Sequence, residues 1–106
     1  MDAFRKKLNQ LKQILTECGE SDLIHRVLPP IDSSDMEIQT FLISNELWGG
    51  AGSIADQAGI KGGHEQRRSI EKALIELGKA QIQAGLTNTR TQLWVEAFSQ
   101  RQDQDI

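Results

Sequence analysis

The sequence predicts an all-α protein, a compact bundle of about five helices around one hydrophobic core. Three observations support this prediction: apolar residues recur at helical spacing, glycine or proline separates the periodic segments, and alternating runs of β-branched residues are absent. The hydrophobic fraction of 38% and the charged fraction of 25% are typical of a folded globular chain. We therefore predict a single helical domain over residues 1–106.

The first helix is predicted by a stripe of apolar residues spaced three or four positions apart. Gly19 ends this helix, because glycine readily adopts the left-handed conformation found there. A short second helix begins near Ser21 and ends before Pro29 and Pro30, which cannot continue the hydrogen-bond ladder. The stripe of the first helix consists of Phe4, Leu8, Leu11, Leu15 and Cys18.

The remaining main helices have recognisable ends. Ser34 and Glu37 form a capping box that opens a third helix. The longest helix runs over residues 64–84, and Gly85 ends it. The cap of the last helix is predicted to come from Thr87, Asn88 and Thr89, with Gln92 completing a capping box from Thr89. Residues 100–106 form a polar tail expected to fray. The inward face of the last helix is predicted to carry Leu93, Trp94, Ala97 and Phe98.

A glycine-rich corner, residues 48–63, is the most unusual segment. Ser53 and Asp56 form a second capping box, and Gly59 closes the short helix that it opens. Two interpretations remain open. The glycines either form a structural turn that lets helices pack beside Trp48, or their amides and the helix start hold a phosphate or another small ligand. The ligand-binding residues of the second interpretation are Gly49, Gly50, Gly52 and Ser53.

No pattern in the chain points to catalysis. His25 and His64 lack a second histidine or a cysteine at helical spacing, so we predict no metal site. Ser53 does not lie in the Gly-x-Ser-x-Gly pattern of a nucleophile elbow. Cys18 lies on an apolar stripe and is expected to be a buried apolar residue. We predict no catalytic residues, no cofactor and no enzymatic activity.

Charge favours a protein partner. A net charge of −3 argues against nucleic-acid binding, and no apolar stretch is long enough to span a membrane. The acidic residues between positions 17 and 37 fall on helix ends and loops and are expected to form one rim, which serves either helix capping and solubility or the capture of a basic partner. Trp48 is either a core residue or a partly exposed anchor for that partner. Val95, off the inward stripe, is a candidate contact for a homodimer. The predicted rim comprises Glu17, Glu20, Asp22, Asp32, Asp35 and Glu37.

The corner and the two helices after it resemble a family of small bacterial all-helical proteins of unknown function. In size and acidic character the chain is similar to immunity proteins, which neutralise toxins used in bacterial competition. The similarity to immunity proteins implies that the chain binds a toxin domain. A cytoplasmic location is predicted by the single cysteine and by the lack of a secretory signal pattern in residues 1–15. The resemblance to the helical family is carried by Trp48, Gly49, Gly50, Gly52, Ser53 and Asp56 of the corner and by Trp94 and Phe98 of the last helix.

Overall fold

The computed structural model describes residues 1–27, 33–58 and 62–104 and confirms an all-α architecture. Helix α5 is central: it packs against α1 on one side and against α6 on another. None of the helices in the described residues is long and apolar enough to cross a membrane. The helices of the described ranges are α1 (Asp2–Glu17), α2 (Ser21–Arg26), α3 (Asp35–Leu42), α4 (Ile54–Gln57), α5 (His64–Ala84) and α6 (Thr91–Asp103).

The predicted ends of the longer helices are confirmed where the structure describes them. Gly19 follows α1 with a φ of 73°, and Gly85 follows α5 with a φ of 72°. At α3, Ser34 Oγ accepts from the Glu37 amide and the Glu37 carboxylate accepts from the Ser34 amide. These signals are local, so they do not depend on how the helices pack. The predicted stops at Pro29, Pro30 and Gly59 lie outside the described residues.

The last helix differs from the prediction at both ends. It begins at Thr91, and Asn88, one of the predicted cap residues, accepts from the Arg90 and Thr91 amides, so the predicted box between Thr89 and Gln92 is wrong. It also continues to Asp103, where Arg68 donates to the carbonyls of Arg101 and Gln102. The tail is therefore helical through residue 103.

The inward face of α6 also differs from the prediction. Val95 is buried, whereas Leu93 is 65% exposed and Ala97 is exposed. Phe98 is buried and Trp94 half-buried, as expected for an inward face. Val95 is buried because it packs on Gly78 of α5, where the missing side chain leaves room. Val95 is therefore a core residue and is not available as a homodimer contact.

Trp48 is at the centre of the core and is 0% exposed. Its indole Nε1 donates to Gln81 Oε1 at 2.9 Å, and the Gln81 amide donates to the carbonyls of Leu42 and Leu86, each at 2.8 Å. Buried polar groups need such partners, because an unpaired one loses its hydrogen bonds to water. The Gln81 side chain therefore joins α3, the corner and the end of α5.

Candidate interaction surface

Five consecutive backbone amides of the glycine-rich corner, from residue 52 to residue 56, are used within the protein, because each donates to an oxygen of the chain. An amide bonded internally is not available to a phosphate, and α4 has only four residues. The prediction that the Gly52 and Ser53 amides bind a ligand is therefore wrong, and ligand binding by Gly49 and Gly50 stays a prediction. The bonds run from Gly52 to Asp56 Oδ2, from Ser53 to Gly50 O, from Ile54 to Glu46 O, from Ala55 to Leu47 O and from Asp56 to Ser53 Oγ.

The first two glycines of the corner allow close packing. Gly49 is buried, a Cβ there would collide with the Asn45 carbonyl, and the Gly49 carbonyl accepts from Trp94 Nε1 at 2.9 Å. A Cβ on Gly50 would lie 3.1 Å from the Arg90 guanidinium. These contacts agree with the structural interpretation of the corner, in which small residues let α6 approach the turn. Because Trp48 is fully buried, its predicted role as a partner contact is also wrong.

Gly52→Ala tests the structural interpretation. Gly52 has a φ of 87°, with no neighbouring atom within 4 Å of a built Cβ, so the substitution introduces backbone strain without a collision. We expect the free energy of unfolding to fall by about 1 kcal/mol, measured by urea denaturation. Gly52→Asn is the matched control and is expected to cost roughly half as much, because asparagine tolerates this conformation better. Equal stability of Gly52→Ala and the unaltered chain would contradict the strained turn.

The predicted acidic rim is divided between the two ends of α1. Asp35 Oδ1 accepts from Arg5 Nη2 at 2.6 Å, so this carboxylate lies beside the first turn of α1. Glu17 lies at the other end, about 18 Å further along the helix at 1.5 Å per residue. The expectation of a single rim is therefore wrong, because α1 separates charges that sequence position groups together.

Individual members of the rim have different environments. Glu17 and Asp22 are exposed, whereas Glu20 is only 4% exposed and is therefore not a surface contact. The Glu37 carboxylate accepts from Ser34, and Asp35 pairs with Arg5. The Glu37 and Asp35 carboxylates therefore already have partners within the chain. Asp32 lies outside the described residues.

A groove of about 710 Å³ lies between α1 and α5 and includes Glu17 at one end. Cys18 Sγ lies 3.9 Å from the Gln66 carbonyl, so the end of α1 meets the beginning of α5 and the two helices are antiparallel. The floor includes the half-buried Ile14, Cys18 and Ala73. Exposed polar and charged side chains on both helices form the walls, among them Gln10, Gln13, Glu65, Ser69, Lys72 and Glu76.

No known protein family, curated protein or solved structure matches this chain. The resemblance to a small bacterial helical family consequently stays a prediction. The conclusions about function below depend on the geometry of the chain.

The charge distribution along the groove is uneven. Glu17 and Glu65 stand at the end where Cys18 meets Gln66, whereas Lys7, Lys72 and Glu76 lie toward the opposite end. The first end is therefore acidic and the second carries mixed charge.

Sequence reasoning missed Glu65 because it lies 48 residues from Glu17. The sequence feature that could have indicated the groove was Ile14, because it widens the apolar stripe of α1 beyond the core positions.

The Cys18 thiol in this groove is disfavoured as a nucleophile, because its pKa is raised. Its pKa lies above the ordinary value, first because burial disfavours the thiolate and second because the carboxylates of Glu20 and Glu17 lie nearby. A protonated thiol packs as a small apolar group. Cys18 therefore contributes to the floor of the groove.

Candidate metal ligands do not converge in the described part of the chain. No group of three histidine, cysteine or acidic side chains there has a geometry suited to a metal ion. His64 begins α5, whereas His25 lies on α2. The two histidines therefore belong to different elements.

Proposed function

We propose that this chain is a non-enzymatic protein-binding protein that neutralises a bacterial toxin by binding an amphipathic helix of the toxin domain. The observation that carries the proposal is the α1–α5 groove, with its apolar floor and its acidic end. A groove between two helices is a common receptor for a third amphipathic helix. The mild acidity of the chain and its similarity in character to immunity proteins agree with this role.

The shape of the groove favours a helix as the occupant. Its α1 wall extends from Lys7 to Glu17, which corresponds to about 15 Å of helix axis. That length matches almost three turns of a bound helix, enough for apolar side chains at positions i, i+3 or i+4, and i+7. Ile14 and Ala73 of the floor would contact those side chains.

The charges favour one orientation of that helix. Glu17 and Glu65 are exposed side chains at the same end of the groove, so a lysine or arginine of the partner is favoured there. Toward the other end, Lys7 and Lys72 outnumber the single carboxylate of Glu76, and this excess of positive charge favours an acidic residue. A helix bound in the reverse direction would place like charges opposite each other, which provides specificity.

Charge reversal of the acidic end tests the proposal. We expect Glu17→Lys with Glu65→Lys to slow association with the toxin domain roughly tenfold at low salt, because the steering field changes sign. Stopped-flow fluorescence with the product of the neighbouring toxin reading frame measures this rate. The matched control is Glu96→Lys with Asp103→Lys, which changes net charge equally on α6 and is expected to change the rate much less.

A second variant tests the apolar floor. Ala73→Leu adds volume to the half-buried floor, so we expect faster dissociation of the complex with little change in the stability of the free chain. Unchanged association and dissociation rates in both variants would contradict binding in the groove. Co-expression tests the neutralising role, since an immunity protein restores growth to cells that produce the toxin, and failure to restore growth despite tight binding would contradict it.

A further inference from the structure

A second cleft, of about 490 Å³, lies between α4, the beginning of α5 and α6. It shares no lining residue with the α1–α5 groove. Its volume is within the range of small-ligand sites, about 300–1,000 Å³. Two arginines, Arg67 of α5 and Arg101 of α6, line it together with the aromatic side chains of Trp94 and Phe98.

Both arginines contact one buried carboxylate. Glu71 is 1% exposed, and its Oε2 lies 3.1 Å from Arg101 Nη1 and 3.7 Å from Arg67 Nε. Glu71 Oε1 and Arg67 Nε are buried without a hydrogen-bond partner among the described residues. One carboxylate therefore faces two guanidinium groups, which leaves an excess positive charge at this wall of the cleft.

Glu71 holds the arginines in position for a ligand. A buried carboxylate is stable only when it is paired, so Glu71 constrains both guanidinium groups. Each guanidinium has five N–H donors in a planar arrangement that matches a carboxylate or a phosphate. Arg67 Nη2 lies 3.3 Å from His64 Nδ1, another residue of the cleft wall. The arginine side chains remain 30% and 48% exposed, so guanidinium donors directed at neither Glu71 nor His64 are accessible to a molecule in the cleft.

The other walls restrict what this molecule is. Asp56 also lines the cleft, and its Oδ2 accepts from the Gly52 amide at 2.8 Å and from Gln57 Nε2 at 3.1 Å. Its negative charge disfavours an anion beside it, so the anionic group is favoured at the arginine wall. The half-buried Trp94 offers an apolar surface for the rest of the ligand, and the buried Phe98 supports its ring, with ring centroids 5.4 Å apart.

We propose that this cleft binds a small molecule in which a carboxylate or phosphate is attached to an apolar ring or chain. The oxyanion accepts hydrogen bonds from Arg67 and Arg101, and the apolar part packs on Trp94. Glu71 is a positioning residue, and its negative charge opposes that of the ligand. This site differs from the glycine-rich corner, whose amides from residue 52 to residue 56 are bonded within the chain.

Calorimetric titration of the full chain with phenyl phosphate and phenylacetate tests the site, with 2-phenylethanol as the neutral control. We expect saturable binding of at least one anion and none of the alcohol. Arg101→Gln should weaken binding roughly tenfold, because it removes charge-assisted hydrogen bonds. Arg90→Gln, an exposed arginine before α6, is the matched control and should leave the affinity unchanged.

Glu71→Gln gives the sharper test, because a charge that opposes the ligand and a purely structural side chain predict opposite results. Glutamine keeps an oxygen that accepts from the arginines but lacks the negative charge that opposes the ligand, so anion binding should strengthen severalfold, whereas a purely structural role would leave the affinity equal or lower. If Arg101→Gln does not fold, Glu71→Gln with Arg101→Gln removes the unpaired buried charge and permits the same titration. Binding of phenyl phosphate alone would identify a phosphate site, and binding of phenylacetate alone a carboxylate site. Absence of binding to both the unaltered chain and Glu71→Gln, or equal binding of the alcohol, would overturn the proposal.

Discussion

Replacement of Gln81 by alanine is expected to lower the free energy of unfolding by about 4 kcal/mol. The side chain is fully buried, so its removal leaves a cavity. It also leaves the Trp48 indole N–H without its acceptor and the carbonyls of Leu42 and Leu86 without the amide donor. Urea denaturation followed by near-ultraviolet circular dichroism, which reports the environment of the tryptophans, measures the loss.

Gln81→Met separates the hydrogen bonds from the volume. Methionine is similar in size to glutamine but supplies neither the amide donor nor the carbonyl acceptor, so we expect a loss of about 3 kcal/mol. Gln83→Met is the matched control, because residue 83 is exposed on the same helix, and it should change stability by less than about 0.5 kcal/mol. If Gln81→Met were as stable as the unaltered chain, the hydrogen bonds of Gln81 would not stabilise the core.

Gly78→Ala is expected to lower the free energy of unfolding by about 2 kcal/mol, although alanine is the better helix former. A Cβ at this position would collide with Val95 Cγ2 and would lie 3.2 and 3.3 Å from two atoms of the Trp48 ring. Helix propensity favours alanine by about 1 kcal/mol, so overpacking must cost about 3 kcal/mol to give this net result. A fall of roughly 10 °C in Tm corresponds to that loss in a chain of this length.

A double-mutant cycle identifies the cause of the Gly78→Ala effect. Val95→Ala removes the atom with which the new Cβ collides, so the two substitutions together should be less destabilising than the sum of their separate effects. Lys79→Ala, at an exposed neighbouring position, is the control for helix propensity and should be close to neutral. A Gly78→Ala chain more stable than the unaltered one would contradict the close approach of α5 and α6.

Much of the candidate site could not be predicted from the sequence, and α6 shows why. Leu93, Val95 and Phe98 are all apolar, so periodicity alone permits more than one inward face. Gly78 decides among these faces, because it opens a hollow on α5 that Val95 fills. The hollow belongs to another helix and leaves no signal in the sequence of α6.

The acidic residues illustrate the same limitation. Their positions on helix ends were predictable, but the distance between Glu17 and Asp35 depends on the length and packing of α1. Glu65 joins Glu17 only because α5 runs antiparallel to α1. Similarly, the sequence indicated an unusual corner, but only the tertiary structure revealed that five of its amides are bonded internally.

The sequence by itself determined the helical class, the ends of α1 and α5 at Gly19 and Gly85, and the capping box of α3. These features depend on backbone conformation and hydrogen bonds within a few residues, which local sequence specifies. The tertiary structure alone decided which side chains became core, where the charges met and where the groove and the cleft opened. Those outcomes depend on shape complementarity between helices distant in the chain, and that complementarity is a property of the packed helices together.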